Sequence, residues 1–335
     1  MKILHCSDIH LGAPLAGLGE NASIRRRELI KAFCELVLYA KNNADAMIIA
    51  GDLFDSSAID NAIFAAVGDA FRDAKIPVFL LFGNHDKRLA KIAVGKMPPN
   101  VKIFDKQNLY ELDERVTVHG VDSAFESETI IFNKNKYNIL VLHGDKTEID
   151  FSKYRNEPID YVAMGHYHMY RMENFARGVM CYSGSNEPRD FGDLGETGFI
   201  MLDTDKSGKN AVNRHNYAKR HIITKNLDVT GLTSADALLK EYAKLTADIG
   251  LQNYLNLIIC GRRNPDVDIE YLSDKKDFFA TRIDDQTIVD YDLEKLRKEN
   301  SLIGEFIKTV ENSGKDGDII DRAIELGLKA LEETR

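Results

Sequence analysis

No apolar run in this sequence approaches the roughly 18 residues that a membrane-spanning helix requires, which argues against a transmembrane protein. The first residues, Met1-Lys2-Ile3-Leu4-His5-Cys6-Ser7-Asp8, hold only a short apolar stretch before a carboxylate. They read as a first strand and not as a signal peptide. Cysteine is sparse. Cys6, Cys34, Cys181 and Cys260 lie far apart and form no Cys-Xaa-Xaa-Cys pair, the pattern of reduced thiols in a cytoplasmic protein. Internal repeats and low-complexity linkers are missing too. There is no basic excess: the net charge of -9 is a mild argument against a nucleic-acid partner. The acid is unevenly spread, however. Residues 221–335 carry 16 Lys+Arg against 23 Asp+Glu, so the first 220 residues are close to neutral. Two divalent ions bound there would make that part weakly cationic, and a polyanionic substrate stays open.

What is present is ordinary in bulk and specific in detail. The 335 residues, 44% hydrophobic and 29% charged, suit one large domain with a smaller appendage. Over residues 1–220, short apolar runs alternate with helical patterns. The runs are Ile3-Leu4, Met47 to Ala50, Val78 to Phe82, Val116 to Val118, Ile139 to Leu142, Tyr161 to Met164 and Phe199 to Leu202. Bounded by Gly, Asn, Asp and Pro, they read as buried strands. Leu29, Phe33, Leu36, Val37 and Ala40 keep helical spacing, and Ala62, Ala65, Ala66, Ala70 and Phe71 do so less cleanly. The order predicts an α/β sandwich with mixed sheets.

Near residue 220 the pattern changes. Ser234 can cap a helix carrying Leu238, Leu239, Tyr242 and Leu245. Tyr254 to Cys260 and Phe278 to Ile283 read as strands, which makes 221–300 a small βαβ-like unit. Residues 301–335 read as two amphipathic helices, one lined by Leu302, Ile303, Phe306, Ile307 and Val310, the other by Ile320, Ile324, Leu328 and Leu331.

Five stretches carry the chemistry: Asp8-Ile9-His10, Gly51-Asp52 with Asp55 nearby, Gly83-Asn84-His85-Asp86, His143-Gly144-Asp145, and Gly165-His166-Tyr167-His168. Each begins where an apolar run ends, at the carboxyl end of a strand, where α/β folds build ligand sites. Asp, His and Asn supply hard oxygen and borderline nitrogen donors without thiolate, which suits Mn, Fe, Co or Zn better than a closed structural zinc site. A two-metal centre needs a carboxylate that reaches two ions about 3.5–4 Å apart, and Asp52 is the candidate. Asp8, His10 and His168 complete one ion's shell; Asn84, His143 and His166 complete the other's. A turn beginning at Gly165 lets the two rings of His166 and His168 serve different ions. Taken singly, every one of these stretches is as easily a turn or a loop. Taken together, five of nine histidines stand at strand ends beside Asp, Asn or Gly. His5 and His119, inside strand-like runs, read as core; His215 and His221 read as exposed. Cys6 reads as a packed strand residue rather than a group behind the ligands.

These stretches, in this order over residues 1–205, resemble the calcineurin-like metallophosphoesterase superfamily. Ser7-Asp8-Ile9-His10-Leu11-Gly12 and the Gly-Ser-rich segment from Tyr182 through Ser183-Gly184-Ser185-Asn186-Glu187-Pro188-Arg189 to Gly192 look like its Mre11/SbcD nuclease branch. So does the helical ending Arg322 to Leu331. The resemblance implies a metallophosphoesterase-type αββα sandwich of two mixed sheets, with a small α+β cap and C-terminal helices. It implies a Mn-dependent nuclease of a DNA repair complex, with DNA as substrate, an SMC-like Rad50/SbcC-type ATPase as partner, and room for a homodimer. The two terminal helices are then either the ATPase-binding element or a packing element on the phosphoesterase core. His85, directly after Asn84, becomes the proton donor to the leaving oxygen, with Asp55 or Asp86 behind it, and Arg189 is either a contact to the nucleic-acid backbone or equally a surface salt bridge. Arg25-Arg26-Arg27 and Lys87-Arg88 read as solvated surface before phosphate contacts. A phosphodiesterase or phosphatase of a small-molecule ester is the competing function, because the same metals serve both. A silent scaffold is the third, and the full ligand set with His85 argues against it.

Overall fold

The structure, a computed structural model, describes residues 1–55, 59–89, 93, 95–104, 109–121, 130–193, 195–273, 275 and 277–332. The chain divides into two compact units, Met1–Ile222 and Ile223–Arg335. The cap and the terminal helices, expected as separate parts, fall in one unit, and residues 333–335 of the expected helical segment lie outside the described residues.

In the first unit the strands are β1 (Lys2–Cys6), β2 (Ala46–Ala50), β3 (Val78–Leu81), β4 (Val101–Ile103), β5 (Leu109–Glu111), β6 (Val116–Gly120), β7 (Tyr137–His143), β8 (Tyr161–Gly165), β9 (Arg171–Phe175), β10 (Gly178–Tyr182), β11 (Gly198–Asp203) and β12 (Val212–Asn216). They form two six-stranded sheets, ordered β12-β11-β1-β2-β3-β4 and β5-β6-β7-β8-β10-β9. In the first, β1 to β4 are parallel, β11 is antiparallel to β1, and β12 is antiparallel to β11. In the second, β6, β7, β8 and β10 are parallel, flanked by antiparallel β5 and β9. This is the expected α/β sandwich of mixed sheets.

Parallel strands are covered on both faces, so their sequences are continuously apolar. Ile3, Ile48, Ala50, Phe79 and Leu81 meet Val118, Ile139, Val141, Ala163 and Cys181 between the sheets. Helices α1 (Ala22–Asn43) and α2 (Asn61–Ala74) pack on each other, with α1 against β2, and bury Phe33, Leu36, Val67 and Phe71. Asp60 caps α2 by accepting the Ala62 N–H at 2.8 Å. On the far face of the second sheet, Leu140, Leu142, Val162 and Met164 pack under Ile149, Tyr154 and Ile159, from a connection with only a short 3-10 turn at Phe151–Lys153.

His5 and His119 are buried strand residues. His215 corrects the expectation of exposure: it lies on the edge strand β12, half-buried, stacked on Phe199 with ring centroids 5.0 Å apart. Arg25 corrects another. It is 1% exposed, because α1 turns that side inward onto Glu187.

The second unit places strand Tyr254–Cys260 parallel to Ala280–Asp285, with helix Ala235–Thr246 capped by Ser234 as read from the sequence. Helices Leu302–Glu311 and Gly317–Glu332 bury Ile307, Ile324 and Leu328 together. A short helix not expected from the sequence, Leu293–Lys298, adds Leu293 and Leu296 to that cluster. Among the described residues no helix is long and apolar enough to cross a membrane.

Candidate metal centre

The carboxyl ends of β1, β2 and β3 in one sheet and of β7 and β8 in the other meet at one edge of the sandwich. Backbone bonds join the loops: Asp8 N–H donates to Gly51 O at 3.1 Å and His10 N–H to Asp52 O at 2.9 Å. Between the sheets, His166 N–H donates to both Asp8 oxygens, at 3.0 and 3.1 Å. Four residues here take left-handed backbone: Asp8 (φ 55°), His10 (φ 49°), Asp52 (φ 51°) and His166 (φ 103°). Asp and His tolerate this region better than most side chains, and such strain concentrates at functional sites.

The glycines before these residues leave room. Gly51 has φ 91°, and a Cβ there would lie 2.0 Å from His143 Nδ1. A Cβ on Gly83 would lie 2.2 Å from Asp52 Oδ1 and 2.7 Å from His143 Nε2. Gly165 was expected to begin a turn. Its role is closer packing, since a Cβ would lie 1.8 Å from Ala50 O, and the left-handed residue is His166.

The donors face inward. His143 Nδ1 lies 2.9 Å from the Ala50 carbonyl and so donates its proton there, leaving Nε2 to face the cavity. That Nε2 lies 3.3 Å from Asp52 Oδ2 and 2.9 Å from Asn84 Oδ1. His10 repeats the pattern, with Nδ1 3.2 Å from Asp55 Oδ1 and Nε2 3.7 Å from the same Asp52 Oδ2. His10 Nε2 is buried without a hydrogen-bond partner. Donor atoms converge within 4.8 Å in three groups: Asp8, His10 and His168; His10, Asp52 and His85; Asp8, Asp52 and His143. The orphaned imidazole nitrogen, the buried carboxylates and the mix of hard oxygen and borderline nitrogen fit divalent first-row metal ions.

Electrostatics agree. Burial alone would push His143 down, yet the bond to Asp52 and the charge of Asp8 raise it to about 9: this cavity favours positive charge at Nε2. Burial also raises the Asp52 carboxyl, but the bond and charge of His143, the charge of His10 and the His85 backbone N–H together outweigh it and hold Asp52 below its ordinary value. For His10, farther from Asp52, burial wins and the imidazole is pushed down.

The remaining candidates sit around this core. The His166 ring packs edge-on against His143, centroids 5.5 Å apart, and belongs to none of the three convergent groups. His168 Nδ1 lies 2.7 Å from Asp193 Oδ1. His85 is at the mouth with its side chain 44% exposed; its N–H donates to Asp52 Oδ1 at 3.0 Å, and its Nδ1 is 3.2 Å from Asp55 O. Asp55 thus touches both His10 and His85, and the His10 bond chiefly holds its carboxyl low. Asp86 faces the backbone instead. It is fully buried, accepts Phe54 N–H at 3.0 Å and Gly83 N–H at 2.8 Å, and burial raises it to about 7. Arg189 packs against His168 and Asp193.

Two contributors escaped the sequence reading. Ser7 Oγ donates to Asp8 Oδ2 and lies 2.7 Å from Ser183 Oγ. Asp193, 2% exposed, holds His168. Ser7 opens the first motif and Asp193 directly follows the Gly-Ser-rich segment, but nothing in either stretch marks these side chains as partners of Asp8 and His168.

Comparison with known proteins adds a frame. The family profile described as Calcineurin-like phosphoesterase matches residues 1–193, more than half of the chain. The chain is 25% identical over 252 residues to the DNA double-strand break repair protein Mre11 of Methanopyrus kandleri, covering 62% of this chain and 55% of that relative. It is 24% identical over 259 residues to a subunit of the nuclease SbcCD of Staphylococcus epidermidis, covering 62% and 67%. Over a shorter stretch of 140 residues it is 30% identical to the UDP-2,3-diacylglucosamine hydrolase of Shewanella baltica, covering 38% and 52%. The chain therefore spans little more than half the length of the Methanopyrus protein.

Proposed function

Because this chain belongs to the calcineurin-like phosphoesterase family, and so is a hydrolase of phosphoester bonds, we propose that it is a two-metal nuclease cleaving phosphodiester bonds in DNA. One observation carries the chemistry: a single oxygen, Asp52 Oδ2, faces imidazole Nε2 atoms on two sides, at 3.3 and 3.7 Å. DNA as the substrate rests on the nuclease relatives. Asp8, His10 and His168 would hold one ion, Asn84, His143 and His166 the other, with Asp52 shared; manganese is the metal we favour. When bound, two such ions neutralise a phosphodiester and acidify a water to near-neutral pKa.

The chain's own residues do the rest. Ala50 O and Asp55 take the Nδ1 protons of His143 and His10, which keeps both Nε2 atoms turned inward, where they would bind metal. Asp55 O takes the Nδ1 proton of His85, so Nε2 of that exposed ring holds and delivers a proton to the leaving oxygen. Arg189 lies beside His168, where a guanidinium meets the substrate backbone. An SMC-like Rad50/SbcC-type ATPase is the partner class suggested by the nuclease relatives.

The small-ester reading has its own support in the glucosamine hydrolase relative. Labelled single- and double-stranded DNA and an aryl phosphodiester, each incubated with Mn and with or without chelator, separate the two. Chelator-sensitive DNA cleavage is the expected result. Turnover of the aryl ester alone would assign the site to small esters.

A further inference from the structure

Asp193 uses its whole carboxylate. Oδ1 lies 2.7 Å from His168 Nδ1 and 3.3 Å from Arg189 Nη2. Oδ2 accepts the Arg189 backbone N–H at 2.9 Å and Nε–H at 3.0 Å. An ionised carboxylate offers about four lone-pair positions, so four donors saturate it. The side chain is 2% exposed. The turn that presents it is built locally, with Asp193 N–H on Asp190 O at 3.2 Å and Gly192 N–H on Asp190 Oδ1 at 2.7 Å.

These contacts fix the tautomer of His168. Arg189 Nη2 also lies 2.9 Å from His168 Nδ1, and a guanidinium only donates. Were Arg189 to donate there, the ring proton would sit on Nε2. Two acceptors, the Nδ1 lone pair and Asp193 Oδ1, would then face each other at 2.7 Å. That arrangement is repulsive inside a protein, where unpaired polar groups are costly. Placing the proton on Nδ1 serves the carboxylate best: Nδ1–H goes to Asp193, Arg189 Nη2–H goes to the same oxygen and only passes beside Nδ1, and Nε2 becomes a lone pair. His168 then joins Asp8 and His10 in one convergent group of donors.

We propose that Asp193 is a positioning residue that sets the metal-facing nitrogen of His168 and the guanidinium of Arg189 together, so that metal affinity and substrate affinity depend on one buried carboxylate. The inference rests on the reading of His168 as a metal ligand. An outer carboxylate behind a metal-bound histidine is typically worth 10–100-fold in affinity. An asparagine at this position keeps only one accepting oxygen, so it releases either the ring or the arginine.

Three measurements on the full chain test this. In the chelator-treated protein, 15N-detected ring resonances of His168, assigned by loss in H168Q, should show the Nδ1–H tautomer; an Nε2–H tautomer overturns the proposal. In Mn titrations, D193N should weaken one of two sites 10–100-fold and leave the other unchanged, with partial recovery in D193E. Wild-type affinity at both sites in D193N overturns it. R189M should keep the tautomer and both Mn affinities while KM for DNA rises. Metal loss in R189M as large as in D193N would transfer the role to the arginine and defeat the assignment. If D193N does not fold, the wild-type tautomer and the R189M titration still decide. The expected tautomer and affinities in a protein that cleaves no DNA would sink the nuclease reading alone. An Nε2–H tautomer in an active nuclease would sink this inference alone.

Discussion

At Asp52 one buried oxygen stands between two imidazoles, and a second accepts the His85 backbone N–H at 3.0 Å. D52N replaces one of those acceptors with an amide donor. It should lose bound metal and activity together, read by elemental analysis after gel filtration; two ions still retained would rule out Asp52 as the shared ligand. H85A should part these properties. Although its ring converges with His10 and Asp52, it is at the mouth and outside both proposed ligand shells, so both metals should stay while turnover falls by roughly 10²–10⁴, the usual worth of a positioned proton donor. Cleavage at the wild-type rate would remove His85 from the chemistry. The sequence singles out these two residues as candidates because Gly-Asp and Gly-Asn-His-Asp at strand ends are unusual in company. Asp193 and Ser7 were not legible, since a carboxylate or hydroxyl reveals its role only through the partner that folding brings to it. The glycines were half legible. Gly51 bends the chain, but the space that Gly83 and Gly165 leave for His143 and Ala50 is a tertiary fact.

At the scale of elements, Arg25 on α1 ties the helix to the segment that carries Arg189 and Asp193. Its Nη2 donates to Glu187 Oε2 and to Pro188 O, each at 2.7 Å, while Glu187 Oε1 accepts the Lys219 N–H at 2.7 Å. Removing one partner of a buried pair costs about 3–5 kcal/mol, because the other charge stays buried and uncompensated. R25M should lower the unfolding free energy measured in urea by that amount, and R25M/E187M should recover much of it. Equal losses in the single and double variants would show that the pair is not coupled. A basic triplet gave no hint that its first member points inward. The strands show the same division. Buried parallel strands such as β2 and β3 announce themselves as unbroken apolar runs. β9 and β12 are edge strands, largely polar and partly exposed, so their pairing lies in backbone bonds that no side-chain pattern reveals. The helix Leu293–Lys298 is too short for its periodicity to register.

For the whole molecule, acid stability depends on histidines outside the candidate ligand set. His5 in the first sheet and His119 in the second are buried and uncharged, held down by burial to about 3 and about 4. Their unfolded values lie near 6.5, so between pH 6.5 and 4 the unfolded chain takes up protons that the folded chain refuses. The stability they contribute is complete above pH 6.5 and is lost as pH falls. Asp86 works the other way: its folded value of about 7 exceeds the unfolded one, so its contribution is lost as pH rises from 4 towards 7. His143, raised to about 9, contributes fully below 6.5 and is flat across the lower part of this window. Absolute slopes therefore mix opposing groups, but the difference between two proteins that differ only at His119 does not. H119Q keeps a polar group beside Thr117, whose Oγ1 lies 3.3 Å from His119 Nε2, and removes the titration. Between pH 6.5 and 4.5 its stability should fall less steeply than wild type by about one proton, amounting to about 2–3 kcal/mol at the acid end. Urea unfolding at half-unit pH steps in chelator reads this directly. Parallel curves for the two proteins would mean that His119 is charged in the fold, or already neutral in the unfolded chain, and would leave the acid limb to the carboxylates of the metal centre.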